Sequence, residues 1–185
     1  MISPDRARLT IDLDALAHNR AVLAAEAPGA EIAAVVKSDG YGLGAGPISR
    51  RLHAEGARSF FVARMSEGEA LRADLGGRDA AICVLDGLLP GAAGRLSAAR
   101  LTPVIGNLPQ ANAAIAVAAA HGGLDVALQV DTGMNRQGMP LAEAAALAGS
   151  PGGLGALRAR RRCLARYRGA RRVGRRSAAE RGGSQ

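Results

Sequence analysis

Apolar and polar positions fall into a repeating rhythm, in which short, nearly unbroken aliphatic runs are separated by longer stretches with helical spacing. The runs are Ile32 to Val36, Phe60-Phe61-Val62-Ala63, Ala81 to Leu85, Leu101 to Ile105 and Val126 to Val130. Short runs of this kind predict strands buried on both faces, as in a parallel sheet. Between them, Ile48 to Glu55, Ser66 to Asp74, Gly91 to Ala99 and Leu108 to Ala120 read as helices, with Ser66 and Glu69 at capping-box spacing. Ahead of the first run, residues 8–13 alternate like a half-exposed strand, and Asp14 is placed to cap a helix through Leu16, Val22 and Leu23. Strands recurring every ~20 to 27 residues predict a βα array with right-handed crossovers. A doubly wound sheet and a (β/α)8 barrel both satisfy that pattern. Either places its chemistry at the carboxyl ends of the strands, where Lys37-Ser38-Asp39 and Asp131-Thr132-Gly133 stand.

Composition narrows the function classes. The 185 residues are 48% hydrophobic, with two Phe, two Tyr and no Trp, so the core rests on Ala, Leu, Val and Ile. An aromatic platform for stacking nucleic-acid bases is excluded. The net charge of +8 divides sharply: residues 1–150 hold 13 basic and 15 acidic side chains, whereas 151–185 hold 11 arginines and one acid, Glu180. The basicity therefore belongs to the tail, and no nucleic-acid partner follows for the body. No apolar run approaches the ~20 residues that span a bilayer, and the first residues lack the order of a secretory signal, so a cytoplasmic protein without a membrane partner is expected. Cys83 and Cys163 have no metal spacing and are expected as thiols. His18, His53 and His121 show no metal-ligand spacing either and read as structural or exposed.

Lysine usage changes the picture. Of 24 basic residues only Lys37 is lysine, and lysine, unlike arginine, readily loses its proton and condenses with an aldehyde. It closes the run Ala34-Val35-Val36 and precedes Ser38-Asp39-Gly40-Tyr41-Gly42-Leu43-Gly44, whose glycines permit tight turning and close approach to a ligand. At the end of such a strand the lysine is expected to be buried. Without further context the same string is equally a surface lysine beside a flexible turn, and it is not a phosphate loop of the G-x-x-x-x-G-K-[ST] type.

The string Val35-Val36-Lys37-Ser38-Asp39-Gly40-Tyr41-Gly42 closely resembles the pyridoxal-phosphate attachment signature of alanine racemases, V-V-K-A-D-A-Y-G. Asp131-Thr132-Gly133-Met134-Asn135-Arg136-Gln137-Gly138 resembles the same family's D-T-G-M-N-R-x-G segment, and Phe60 to Arg72 and Leu85-Asp86-Gly87 are also similar to it. The resemblance covers residues 8–150. It implies an α/β fold, part of a (β/α)8 TIM-type barrel with about five βα units counted from the lysine strand. It further implies interconversion of L-alanine and D-alanine, with pyridoxal 5'-phosphate as cofactor, for cell-wall peptidoglycan. By that resemblance Lys37 holds the cofactor and removes the α-proton, Tyr41 contacts its phosphate, and Arg136 reaches its phenolic oxygen and the substrate carboxylate. Asp131 reads as scaffold and Leu85 as core that could line the cofactor ring.

The resemblance also defines what lacks a match. The family's second base, a tyrosine from the C-terminal domain of the partner subunit, has no counterpart here, nor have its later barrel histidine, pyridine-nitrogen arginine and late phosphate loop. The resemblance implies a homodimer for the full-length family, which is not expected of this chain by itself. This chain reads as an N-terminal portion, residues 1–150, inactive alone, with strand edges exposed at 32–37 and 126–130. A non-catalytic pyridoxal-phosphate-binding barrel is the alternative. After Gly149-Ser150-Pro151 the family pattern gives way to Arg, Gly and Ala. Residues 151–185 read as a disordered tail: a basic arm for RNA, a solvated extension, or, as favoured, the product of a reading-frame shift near residue 152 in a GC-rich gene.

Overall fold

The computed structural model describes residues 8–121, 124–150 and 158–159. The elements are α1 (Leu13–Glu26), β1 (Ala34–Val35), α2 (Lys37–Tyr41), α3 (Ala45–Ala54), β2 (Ser59–Val62), α4 (Met65–Leu75) and β3 (Ala81–Val84), then α5 (Ala93–Ala98), β4 (Leu101–Ile105), α6 (Leu108–His121), β5 (Asp125–Leu128), α7 (Leu141–Gly149) and β6 (Arg158–Ala159). The strands form one parallel sheet in sequential order, β1-β2-β3-β4-β5-β6. Sequential order with a helix at each crossover is the barrel arrangement rather than the doubly wound one, which reverses order within the sheet.

Two apolar faces cover the sheet. Phe60, Val62, Ile82, Val84, Leu101, Ile105 and Val126 pack with Leu52, Leu71, Leu75, Leu96 and Ala114 of the helices into the main core. The intervening positions Ala81, Cys83, Val104 and Ala127 form a second, smaller cluster with Phe61 and Leu85 on the opposite face. Burial on both faces explains why these strands read as continuous apolar runs rather than alternating ones. Pro103 lies inside β4, unusual because it cannot donate to a ladder. It sits where β4 changes partners: the register with β3 ends at Val84↔Pro103, and that with β5 begins at Val104↔Ala127.

Several sequence expectations are corrected. Residues 8–12 form no strand, and helix α1 begins at Leu13. A strand persists only with a hydrogen-bonding neighbour, and the described residues offer this segment none. Asp12, not Asp14, caps α1, its Oδ1 accepting from the backbone N–H of Asp14 and Ala15 at 2.9 Å each. At α4 the acid that reaches back is Glu67, whereas Glu69 pairs with Arg95 at 2.7 Å. The edge expected to be open at 126–130 is partly covered, because Asp125 and Val126 pair with Arg158 and Ala159 of β6. The rest of the 151–185 tail, with Cys163, lies outside the described residues. Helix α7 adds an element that the sequence pattern did not single out. The other open edge, β1, is only two residues long, which limits its power to recruit another strand.

Candidate active site

All strands being parallel, the segments after β1 to β5 share one rim of the sheet. The pairing of β1 with β2 continues to the residue before the lysine, where Val36 N–H donates to Phe61 O at 2.8 Å. Ala34 and Val36 belong to the helix-covered core, so strand alternation assigns Val35 to the opposite face, and at Val36 (φ −125°, ψ 24°) the backbone is no longer extended as it enters Lys37. The register there is Val35↔Phe61 and Phe61↔Cys83, and Lys37 follows two residues after the last pair of β1. Lys37 is half-buried rather than buried as expected, because β1 is the sheet edge.

The chain leaves Lys37 in a conformation rare for L-residues. Ser38 and Asp39 (both φ 53°, ψ 48°) and Gly40 (φ 63°, ψ 39°) are left-handed, followed by Tyr41 at φ 58° and Gly42 at φ 82°. The left-handed well costs roughly 1–2 kcal/mol per non-glycine residue, so Ser38, Asp39 and Tyr41 together store about 3–6 kcal/mol. Strain of that size persists only where the surroundings over-determine the backbone. Gly40 N–H donates to Val36 O, Gly42 N–H to Ser38 O and Gly44 N–H to Asp39 O, each at 2.9 Å. The Asp39 carboxylate accepts from Ala45 N–H at 2.8 Å, capping α3. Glu67 Oε1 accepts from Ser38 N–H at 3.0 Å, while its Oε2 accepts from the N–H of Ala63 at 2.8 Å and of Arg64 at 3.3 Å.

The second pole of the rim follows β5. Val130 bridges to Met139, Met139 N–H donates to Gln129 O (2.8 Å) and Asp131 N–H to Met139 O (2.9 Å), which closes residues 131–138 into a loop. Gly138, at φ 114°, is required there: a Cβ would lie 2.7 Å from Asp131 N. Asp131 Oδ1 accepts from the N–H of Gly133 (2.9 Å), Met134 (3.0 Å) and Asn135 (3.1 Å). These bonds, that of Gly133 foremost and then that of Asn135, hold its carboxyl below the usual carboxylate range, with desolvation opposing them. Asp131 thus organises the turn that presents Arg136, as its reading as scaffold anticipated.

Arg136 is exposed at the lip of a cleft of about 470 Å³ lined also by Leu85, Asp86, Asn107, Gln110 and Gln129. Gln110 bridges two rim loops, its Oε1 accepting from Gly106 N–H (3.2 Å) and its Nε2 donating to Asp86 O (3.3 Å). Gln129 Nε2 donates to Gln137 O at 3.3 Å. Leu85 is half-buried, packs on the inner cluster and also lines this cleft. Tyr41, 62% exposed, lies elsewhere, with Gly40 beside a separate apolar cavity of about 300 Å³ between α1, β1 and α3. Lys37, Tyr41 and Arg136 therefore share a rim but no cavity, because β2, β3 and β4 stand between the lysine strand and the arginine loop. Curling of such a sheet into a barrel brings these two ends toward each other.

The donor set is chemically coherent. Among the described residues the Lys37 amine, the Tyr41 hydroxyl and the Arg136 guanidinium make no hydrogen bond or ion pair. A free amine, a phenol and a permanent cation fit an aldehyde that carries anionic groups. Among the described residues no group of three or more His, Cys, Asp or Glu is placed to hold a metal ion. His18 is exposed on α1, and His53 Nε2 lies 3.1 Å from Asp79 O, a helix-to-loop tie. No helix of the described residues is long and apolar enough to cross a membrane.

Residues 11–160 match the family described as alanine racemase, N-terminal domain. The chain belongs to that family. An alanine racemase of Methylobacterium nodulans is 51% identical over 144 residues, covering 77% of this chain and 38% of the relative. A solved alanine racemase of Bartonella henselae, with covalently bound pyridoxal phosphate, superimposes with TM-score 0.73 at 29% identity, over 80% of this chain and 43% of that one. The Streptomyces coelicolor alanine racemase gives TM-score 0.69 at 35% identity, over 79% of this chain and 39% of that one. This chain thus spans about two fifths of the curated relatives it matches, and its sheet is part of the alanine racemase (β/α)8 barrel. The family match runs to residue 160 and includes β6, nine residues beyond Pro151.

Sequence reasoning missed two members of this rim. Glu67 and Gln110 carry no motif of their own. Glu67 had a usable signal, an acid three residues after Arg64 at a helix start, but the spacing was assigned to Ser66 and Glu69. Gln110 had none, since its partners are backbone groups on two other loops.

Proposed function

We propose that this chain is the cofactor-lysine portion of a pyridoxal-phosphate-dependent alanine racemase, with Lys37 carrying the cofactor and moving the substrate's α-proton. The observation that carries this reading is the uncommitted amine of the chain's only lysine, presented by a left-handed turn at the carboxyl end of β1. Bound pyridoxal phosphate supplies a conjugated ring that spreads the negative charge left on the α-carbon when its proton departs. Lys37 Nζ accepts that proton on one side of the α-carbon. Arg136 offers a planar pair of N–H donors to a carboxylate, orienting alanine, and its fixed charge also suits the cofactor's phenolic oxygen. The Tyr41 hydroxyl would donate to the phosphate. Leu85 lines the Arg136 cleft with an apolar side chain suited to the flat face of the cofactor ring.

Racemisation also requires a proton delivered to the opposite side. One lysine cannot stand on both, and no described residue takes the second role in this proposal. The 185-residue polypeptide alone is therefore expected to bind cofactor without interconverting the alanine enantiomers. In its full-length form the protein would act as a cytoplasmic homodimer that supplies D-alanine for peptidoglycan, with alanine as its small-molecule partner.

The test is to incubate the purified chain with pyridoxal phosphate, reduce with borohydride and map the modified peptide. Modification at Lys37, lost in Lys37→Ala, is expected. An adduct confined to the N-terminal amine refutes the assignment, and D-alanine formation by the purified chain, abolished in Lys37→Ala, refutes the expected inactivity.

A further inference from the structure

We propose that Glu67 is a positioning residue for Lys37: by holding the Ser38 amide it fixes the direction in which the lysine leaves the end of β1. The proposal rests on the cofactor role of Lys37 given above, but its physical basis stands apart from it. The backbone bonds that define the left-handed turn are internal, joining Val36 to Gly40, Ser38 to Gly42 and Asp39 to Gly44. Internal bonds set the shape of a turn and leave its orientation on the sheet free. Among the described residues, two side-chain hydrogen bonds tie this turn to other elements: that of Asp39 to the start of α3, which follows it directly in the chain, and that of Glu67, which comes from 29 residues further along and holds the amide beside the lysine.

Which peptide group it holds matters. The Ser38 N–H lies in the rigid peptide plane that begins at the Lys37 carbonyl, so anchoring it sets ψ of Lys37 and with it the bearing of the Cα–Cβ bond. The anchor is itself fixed, because the other carboxylate oxygen is occupied by the N–H groups of Ala63 and Arg64 where β2 passes into α4. A negative side chain is stabilised at that helix start by the unpaired N–H groups there. Glu67 is half-buried, so the bonds are partly shielded from water. Had it only capped α4, one oxygen would suffice. The second oxygen is spent on the residue next to the lysine, joining the ends of β1 and β2.

The test uses the full chain and two readouts: hydrogen–deuterium exchange of residues 37–44 without cofactor, and the pyridoxal-phosphate dissociation constant from the absorbance of the lysine adduct. In Glu67→Ala, exchange across 37–44 should quicken at least about tenfold, the scale of a lost bond to a charged group, and cofactor binding should weaken by a similar factor. Glu67→Gln keeps one acceptor and a similar volume, so it should fold and fall between wild type and Glu67→Ala on both readouts. Glu69→Ala, which breaks the Arg95 pair on the same helix, should move neither. If both Glu67 variants retain wild-type exchange over 37–44, or if Glu69→Ala matches their effect, Glu67 is no more than part of α4 and the proposal falls. Faster exchange in the Glu67 variants with no adduct at Lys37 in wild type would uphold the tie while removing the cofactor role of the lysine, so the two failures are distinguishable.

Discussion

Two glycines of the lysine turn share a backbone region but not a neighbourhood, and the difference can be measured. Gly40 (φ 63°) is buried against α3: a Cβ added there would meet Ile48 Cδ1 at 3.1 Å, Ala45 N at 3.2 Å and Ala45 Cα at 3.3 Å. Gly42 (φ 82°) has nothing within 4 Å of such a Cβ. Alanine at either site carries the left-handed cost of roughly 1–2 kcal/mol, offset in part by about 0.4–1 kcal/mol from a less disordered unfolded chain. Gly42→Ala should therefore destabilise by about 1 kcal/mol. Gly40→Ala adds crowding of a packed site, typically ~1–3 kcal/mol, because two of its three near atoms are backbone and cannot swing aside. Its total is about 2–4 kcal/mol. Urea unfolding of the two variants, compared at unchanged m, reads the difference directly. Equal midpoints would refute the packing of this turn against α3, and a stabilised Gly42→Ala would refute its left-handed backbone.

Two further outcomes follow from the same rim. Ser38→Gly removes one left-handed penalty of roughly 1–2 kcal/mol and returns ~0.5–1 kcal/mol of unfolded-state entropy, so a rise of about 0.5–1 kcal/mol in urea stability is expected; a loss would contradict the strain assigned to Ser38. For Asp131, whose folded carboxyl is held low by the Gly133, Asn135 and Met134 amides, the contribution to stability is complete above the unfolded pKa of about 3.9 and fades as pH falls through the lower folded value. Amide exchange of residues 133–135, corrected for the intrinsic pH dependence, should show no Asp131 transition above pH ~5, and a transition near neutrality would contradict it.

How much of this was legible in the sequence depends on the range of the interactions involved. Strands β2, β3 and β4 were readable nearly to the residue because Phe60, Ile82 and Ile105 face helices while Phe61, Cys83 and Val104 face the opposite cluster, so both parities are apolar. Lys37 stands out as the chain's only lysine at the carboxyl end of such a run, and Arg136 through the family-like segment Asp131 to Gly138 that follows another. The segment 8–13 alternates convincingly, yet alternation specifies a face and not a partner, and no described strand lies beside it. The left-handed geometry of Ser38 and Asp39 was invisible for a different reason. Neither residue type demands φ > 0, and the bonds that impose it reach from Glu67 and from the start of α3. Pairing of β6 with β5 was hidden by composition, because Arg158-Ala159 carries no strand signal of its own.

Strain and support therefore lie on different parts of the molecule, and that separation has a dynamic consequence. About 3–6 kcal/mol stored at Ser38, Asp39 and Tyr41 is comparable with the net stability of a whole domain, ~5–15 kcal/mol, so the core beneath β2, β3 and β4 must offset it. The turn sits on β1, the two-residue edge strand, where Val35 is 47% exposed, while Ile82 and Ile105 are fully buried in the centre of the sheet. A strained segment joined to an edge should open without the core opening. Native-state exchange in low urea should show the Gly40, Gly42 and Gly44 amides exchanging through an opening nearly independent of urea, and the Ile82 and Ile105 amides through one that steepens with it. A common urea dependence for both sets would mean that turn and core unfold together. Lys37 would then be held by the cooperativity of the whole sheet, and the Glu67 tie would have no separate role.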